Sequence, residues 1–86
     1  MISTKGRYAL RLMINLALYS DGNYVRLKDI SEKEEISIKY LEQVVALLYK
    51  SNLVLSLRGN NGGYKLARDP KDYTAGEILR AAEGTL

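Results

Sequence analysis

Between residues 4 and 19, in TKGRYALRLMINLALY, apolar side chains stand at 9, 10, 12, 13, 14, 16, 17 and 18. Leu10, Met13, Ile14 and Ala17 form an i, i+3, i+4, i+7 stripe, which predicts a helix. The apolar arc is broad, so this helix is expected at the centre of the fold, capped by Ser3 or Thr4. SDGN at 20–23 supplies turn chemistry to end it. YVRL at 24–27 predicts a short strand. LKDISEKEEI at 27–36 predicts a short helix with Leu27 and Ile30 inward, although no Ser, Thr or Asp directly precedes Leu27 to cap it. SIKYLEQVVALLYKSN at 37–52 predicts the most regular helix. Ser37 is its cap, and Ile38, Leu41, Val45 and Leu48 form one stripe, widened by Val44. Only the residues around Ile36-Ser37 separate these two helices, which forces a sharp helix–turn–helix.

LVLSLR at 53–58 alternates Leu53, Leu55 and Leu57 against Val54, Ser56 and Arg58, the pattern of a strand. GYKLAR follows a Gly- and Asn-rich turn as its partner, with Asn61, Gly62 and Gly63 expected to take positive φ at the tip. Asp69-Pro70 breaks the pattern. Thr74 with Glu77 three residues on fits a capping box, opening a last helix with Ile78, Leu79 and Ala82 that Gly84 stops. This order predicts one α+β domain over residues 1–86, a winged helix-turn-helix, mostly helical with a two-stranded antiparallel wing. Leu10, Met13, Ile14, Leu41, Val45, Leu48, Leu53 and Leu55 are its expected core.

Composition narrows the chemistry. The 86 residues include no Cys and no His, so a disulfide, a thiolate-bound cluster, a zinc site or a His-based general base cannot be built from them. No cofactor is expected in this chain. Charged residues at 27% and apolar ones at 47% fit a folded globular domain. No apolar run is long enough to span a bilayer and no signal peptide is evident, so no membrane partner is expected and the cytoplasm is the expected location. The net charge of +3 permits a polyanionic partner without demanding one.

The 37–52 helix leaves Lys39, Tyr40, Glu42, Gln43, Ala46 and Lys50 on the side away from its stripe. In a helix–turn–helix the start of the second helix enters the major groove, where Gln pairs with adenine and Glu accepts from cytosine N4. Lys39 and Tyr40 suit phosphate. The plain alternative is a solvated polar face. The hairpin tip, LRGNNGGYKLAR, invites the same two readings. It is either a surface turn or a wing whose small residues let backbone approach DNA. No acid lies between Glu42 and Asp69, whereas Lys50, Arg58, Lys65 and Arg68 are all basic, which favours a phosphate backbone or a minor groove. The first turn adds Ser3, Thr4, Lys5, Arg7 and Tyr8 with no acid before Asp21; phosphate contact and ordinary capping remain open there. Glu32, Glu34 and Glu35 are expected to form a solvated face pointing away from a duplex. GNNGGYK lacks the spacing of a phosphate-binding loop and is followed by a strand pattern, so an enzyme is not expected.

STKGRYALRLMINLAL, ISIKYLEQVVALLYKSNLVLSLRGNNGGYKLAR and TAGEILRAAEG together resemble the IscR/CymR/NsrR-type winged-helix transcription regulators of bacteria over essentially the whole chain. The resemblance implies sequence-specific binding of double-stranded DNA by a homodimer on an imperfect palindrome, with repression the expected outcome. It carries the family's recognition-helix positions onto Ser37, Lys39, Tyr40, Glu42 and Gln43, and its wing onto Arg58, Gly59, Asn60, Asn61, Gly62 and Gly63. Ser3, Thr4, Lys5 and Tyr8 match the segment near the DNA backbone. Members of that family continue past Glu83-Gly84 into a long dimerisation helix, with three cysteines in the cluster-binding branch. This chain ends at Leu86 without Cys, so it is expected to lack that dimerisation and sensor region, and cluster sensing is not carried over. A winged helix that binds another protein, through Tyr49, Tyr64 and Tyr73, is the alternative.

Overall fold

The computed structural model describes residues 2–84. Four helices, α1 (Thr4–Tyr19), α2 (Leu27–Glu34), α3 (Ile38–Lys50) and α4 (Ala75–Glu83), surround one antiparallel ribbon of β1 (Val54–Leu57) and β2 (Gly63–Leu66). This is the expected winged helix-turn-helix order. A single 3₁₀ turn, Pro70–Asp72, occupies the break after the ribbon, with the Asp69 carboxylate accepting from Lys71 N.

Helix starts follow the caps in the sequence. Ser3 Oγ accepts from Gly6 N, Ser37 Oγ accepts from Tyr40 N, and Thr74 with Glu77 closes a full capping box. Arg26 precedes α2 without a side-chain cap. The link from α2 to α3 is set by Glu35, which turns left-handed at φ 57°, and by Ser31 Oγ, which donates to Ile36 O at 2.6 Å.

The core is Ala9, Leu12, Met13, Leu16, Ile30, Ile36, Leu41, Val44, Val45, Leu48, Leu53, Val54, Ile78 and Ala82. Burying a leucine such as Leu12, Leu41 or Leu48 contributes about 1.5–3 kcal/mol each. Three expected core residues, Leu10, Ile14 and Leu55, are not among its buried members. In α1 the apolar residues define two overlapping stripes, and the molecule buries 9, 12, 13 and 16 instead of 10, 13, 14 and 17. Leu10 is therefore half-buried and Ile14 is 55% exposed. Around β1 the expected inward face is kept only at Leu53, just before the strand, and within the strand Val54 alone is buried. Val54 packs inward while Leu55 and Leu57 point out. Ile38 likewise lies outside the core. The strand expected at 24–27 reduces to one bridge, in which Val25 and Tyr64 exchange two backbone hydrogen bonds of 2.8 Å.

The ribbon pairs Val54 with Leu66 and Leu57 with Gly63. Positive φ falls on Gly59 and Gly63, not on Asn61 or Gly62. Gly62 is needed for space instead, since a Cβ there would overlap the Leu57 carbonyl. Gly63 is needed on both counts: its φ is +142°, and a Cβ would overlap the Val25 carbonyl.

Candidate nucleic-acid interface

α3 is anchored along one side by Leu41, Val44, Val45 and Leu48, all buried. The opposite side presents Lys39, Glu42 and Gln43, all exposed. The ion pairs among the described residues, Arg11–Glu34 and Arg68–Glu77, involve none of these three. These exposed side chains stand at the start of the second helix of a helix–turn–helix, the part that meets base edges in such motifs. Ser37 spends its hydroxyl on the cap.

The first turn of α1 is joined to α3 through aromatics. The Tyr8 and Tyr40 rings meet edge to face, with centroids 5.2 Å apart and planes at 81°. Both tyrosines are half-buried, so their rings set the position of the two helix starts. Ser3, Thr4 and Lys5 are exposed beside them, with Ser3 Oγ held 2.9 Å from Gly6 N. Tyr8 and Tyr40, one from each group singled out in the sequence, are thus neighbours in space.

At the wing, Arg58, Gly59, Asn60 and Asn61 are exposed, Gly62 is buried and Gly63 half-buried. The turn closes through Gly62 N donating to Gly59 O at 3.0 Å. The expected basic strip is only partly available to a ligand. Lys65 lies 4.7 Å from the centre of the Tyr24 ring. Arg68 donates to both Glu77 carboxylate oxygens, at 2.9 and 3.0 Å, and to the Asp72 carbonyl at 3.1 Å. The hydrogen bonding to Glu77, above all, raises the Arg68 pKa above its ordinary value, and the Arg68 hydrogen bond, followed by that from Thr74 N, holds Glu77 below the usual carboxylate range. Arg58 and Lys50 remain exposed.

The wing flanks a polar cleft of about 580 Å³, lined by Gly22, Asn23, Tyr24, Arg26, Asp29, Leu57, Asn61 and Gly62. Arg26 is exposed there and was missed in the sequence, where it read as a strand residue and a poor helix cap.

Two other expectations change. Glu34 is more than a solvated acid, since it accepts from the buried Asn15 Nδ2 at 2.9 Å and pairs with Arg11 at 3.6 Å. Of the tyrosines offered to a protein partner, Tyr49 is 54% exposed. Tyr64 is half-buried, and the Tyr73 hydroxyl accepts from Ala67 N and Arg68 N while donating to Leu53 O.

Among the described residues no three or more His, Cys, Asp or Glu groups converge as metal ligands, and no helix is long and apolar enough to cross a membrane.

A family model described as "Rrf2: Iron-dependent Transcriptional regulator" matches residues 2–86. The HTH-type transcriptional regulator IscR of Photobacterium profundum is 44% identical over 82 residues, which cover 95% of this chain and 48% of that protein. IscR of Escherichia coli O1:K1 is also 44% identical over 82 residues, or 51% of its length. Among solved structures, CymR, the global cysteine regulator of B. subtilis, superposes with a TM-score of 0.92 at 46% identity, over 99% of this chain and 66% of that one. T. potens IscR superposes with a TM-score of 0.88 at 46% identity, over 100% and 63%. The chain spans about half the length of the IscR relatives.

Proposed function

The chain belongs to the Rrf2 family of transcription regulators, and from that premise we propose that residues 1–86 are the part of a bacterial regulator that binds double-stranded DNA in a sequence-specific manner. The observation that carries the reading is α3, with four buried residues on one side and Lys39, Glu42 and Gln43 free on the other. Glu42 and Gln43 read base edges in the major groove, and Lys39 holds phosphate. The wing, Arg58 to Gly63, lies along the backbone or in the minor groove, and Ser3, Thr4, Lys5 and Tyr8 brace the flanking phosphates.

Pairing of two copies on an imperfect palindrome is supported by the unpartnered apolar strip of α1. Ile14 and Leu18 are 55% and 66% exposed, beside an apolar groove of about 140 Å³ lined by Leu10, Met13, Ala17 and Tyr73 among others. Half-sites about one helical turn apart, roughly 34 Å, follow from such a pair. Repression by occupancy of the operator in the cytoplasm completes the reading. Iron dependence is not assigned to these residues, which include no Cys or His, and among the described residues no three Asp or Glu groups converge. The proposal therefore gives this chain DNA readout alone. A protein-binding role has less support, since Tyr64 and Tyr73 are engaged internally.

Selection from a random duplex library, followed by anisotropy on the winners at two salt concentrations, tests the reading. An enriched motif whose affinity falls steeply with salt is expected. Absence of enrichment at low salt overturns it.

A further inference from the structure

Ile38 is the first residue of α3 and is 42% exposed. It is not among the residues of the buried core. The apolar packing at the start of α3 comes from Ile36, before the cap, and Leu41, at the fourth helical position, which are 5% and 0% exposed. A β-branched residue on a helix surface gains nothing from helix propensity either. Four of the other exposed aliphatic side chains occur in pairs, while Ile2 lies before α1. Ile14 and Leu18 share the α1 strip, and Leu55 and Leu57 share the outer face of β1. Ile38 instead stands among exposed polar neighbours, Ser37, Lys39 and Glu42. Glu42 is four residues on, so the two side chains lie one above the other on the same face.

We propose that Ile38 reads the C5-methyl group of a thymine in the major groove and so sets part of the operator sequence. The proposal rests on the DNA-binding reading above and deepens it. Thymine is the one ordinary base that presents an apolar group in that groove, and an aliphatic side chain is its natural partner. Ile38 and Glu42 are about 6 Å apart along the helix axis, against base steps of about 3.4 Å. The thymine therefore lies within about two base steps of the base that Glu42 reads, which is cytosine if the carboxylate accepts from N4. Lys39, between them in sequence and exposed, holds the backbone at the same place.

Deoxyuridine differs from thymidine only by that methyl group, so the test needs no change in the protein. Each thymine of the selected duplex is replaced singly by deoxyuridine, and affinity is measured by anisotropy for the native chain and for Ile38→Ala. At one position near the Glu42 base, the native chain is expected to bind about fourfold more weakly without the methyl, the effect of one buried carbon. Ile38→Ala is expected to be indifferent to the methyl there, with an unchanged helical circular dichroism spectrum. Ile38→Ser serves as a second variant with the same expectation. If no thymine methyl matters to the native chain, or if the variants lose as much as the native chain does, the role of Ile38 is overturned while the selected motif leaves DNA reading standing. If selection yields no motif, DNA reading itself falls, and this inference falls with it.

Discussion

In α3 the residues that hold the element and the residues offered to a ligand lie on different sides. Leu41, Val44, Val45 and Leu48 are buried, whereas Lys39, Glu42 and Gln43 are exposed and make no ion pair among the described residues. The β1–β2 ribbon has no such division. Its tip is held by backbone: Gly63 crosses the Val25 carbonyl, Gly62 sits against the Leu57 carbonyl, and Val25 and Tyr64 exchange two hydrogen bonds. The same glycines are the candidate wing. Stability and recognition should thus be separable in the helix and inseparable in the wing tip.

The largest effect that would break this contrast is expected at Gly63. Gly63→Ala places a Cβ against Val25 O at a φ of +142°. A loss of about 3 kcal/mol is expected, or roughly 12–24 °C in melting temperature for a domain of this size. DNA affinity should fall with it. Thermal unfolding by circular dichroism checks this, and an unchanged midpoint would show that the tip relaxes freely and that the wing is as separable as the helix.

Glu42→Ala should do the opposite. Its side chain is exposed, so the melting temperature should hold within about 2 °C. Preference at one base position should relax by about 1–3 kcal/mol, measured by competition between the selected duplex and its single-position variants. Arg58→Ala sharpens the comparison from the wing side, because Arg58 is exposed and lies outside the paired strands. All sequences should bind more weakly by a similar factor, and the slope of log affinity against log salt should shrink by about one. An Arg58 variant with unchanged slope removes the wing from the backbone contact.

Much of this was legible in the sequence. Ser37, Thr74 and Glu77 mark helix starts by chemistry that acts within four residues, and those signals survive folding intact. The order of elements follows from period and punctuation in the same local way. What was not legible depends on partners distant in sequence. Nothing local distinguishes the Leu10 stripe of α1 from the Leu12 stripe, because both are apolar; α3 and α4 decide it by where they pack. The alternation in β1 fits either face until the ribbon meets the helices. Arg68 reads as a free cation beside a turn, and only the capping box of α4, nine residues on, turns it into half of an ion pair. Among the candidate contacts, the Tyr8–Tyr40 pair joins positions 32 apart in sequence, which no spacing rule anticipates. Ile38 matched a core stripe by period, yet as the first residue of α3 it is 42% exposed.

Arg68 also bounds the comparison, since at its base the ribbon is held by side chains. The guanidinium reaches both oxygens of Glu77 and the Asp72 carbonyl, tying the chain after β2 to the start of α4. Both groups are partly exposed, so the pair is screened and its contribution is small. The sign of its pH dependence is nevertheless fixed. Glu77 is held below the ordinary carboxylate range, by Arg68 first and Thr74 N second, so its folded form resists protonation more than its unfolded form. Stability from this group is fully present above the unfolded carboxylate pKa and is lost as pH falls through the lower folded value. Glu77→Gln should therefore melt slightly below the native chain at pH 7, and the gap should close as the pH falls below about 4. Thermal melts across that window check it. A gap that stays constant with pH would mean that the Glu77 charge does not matter, leaving hydrogen bonds from Arg68 and Thr74 N that need no carboxylate charge to hold the base of the ribbon.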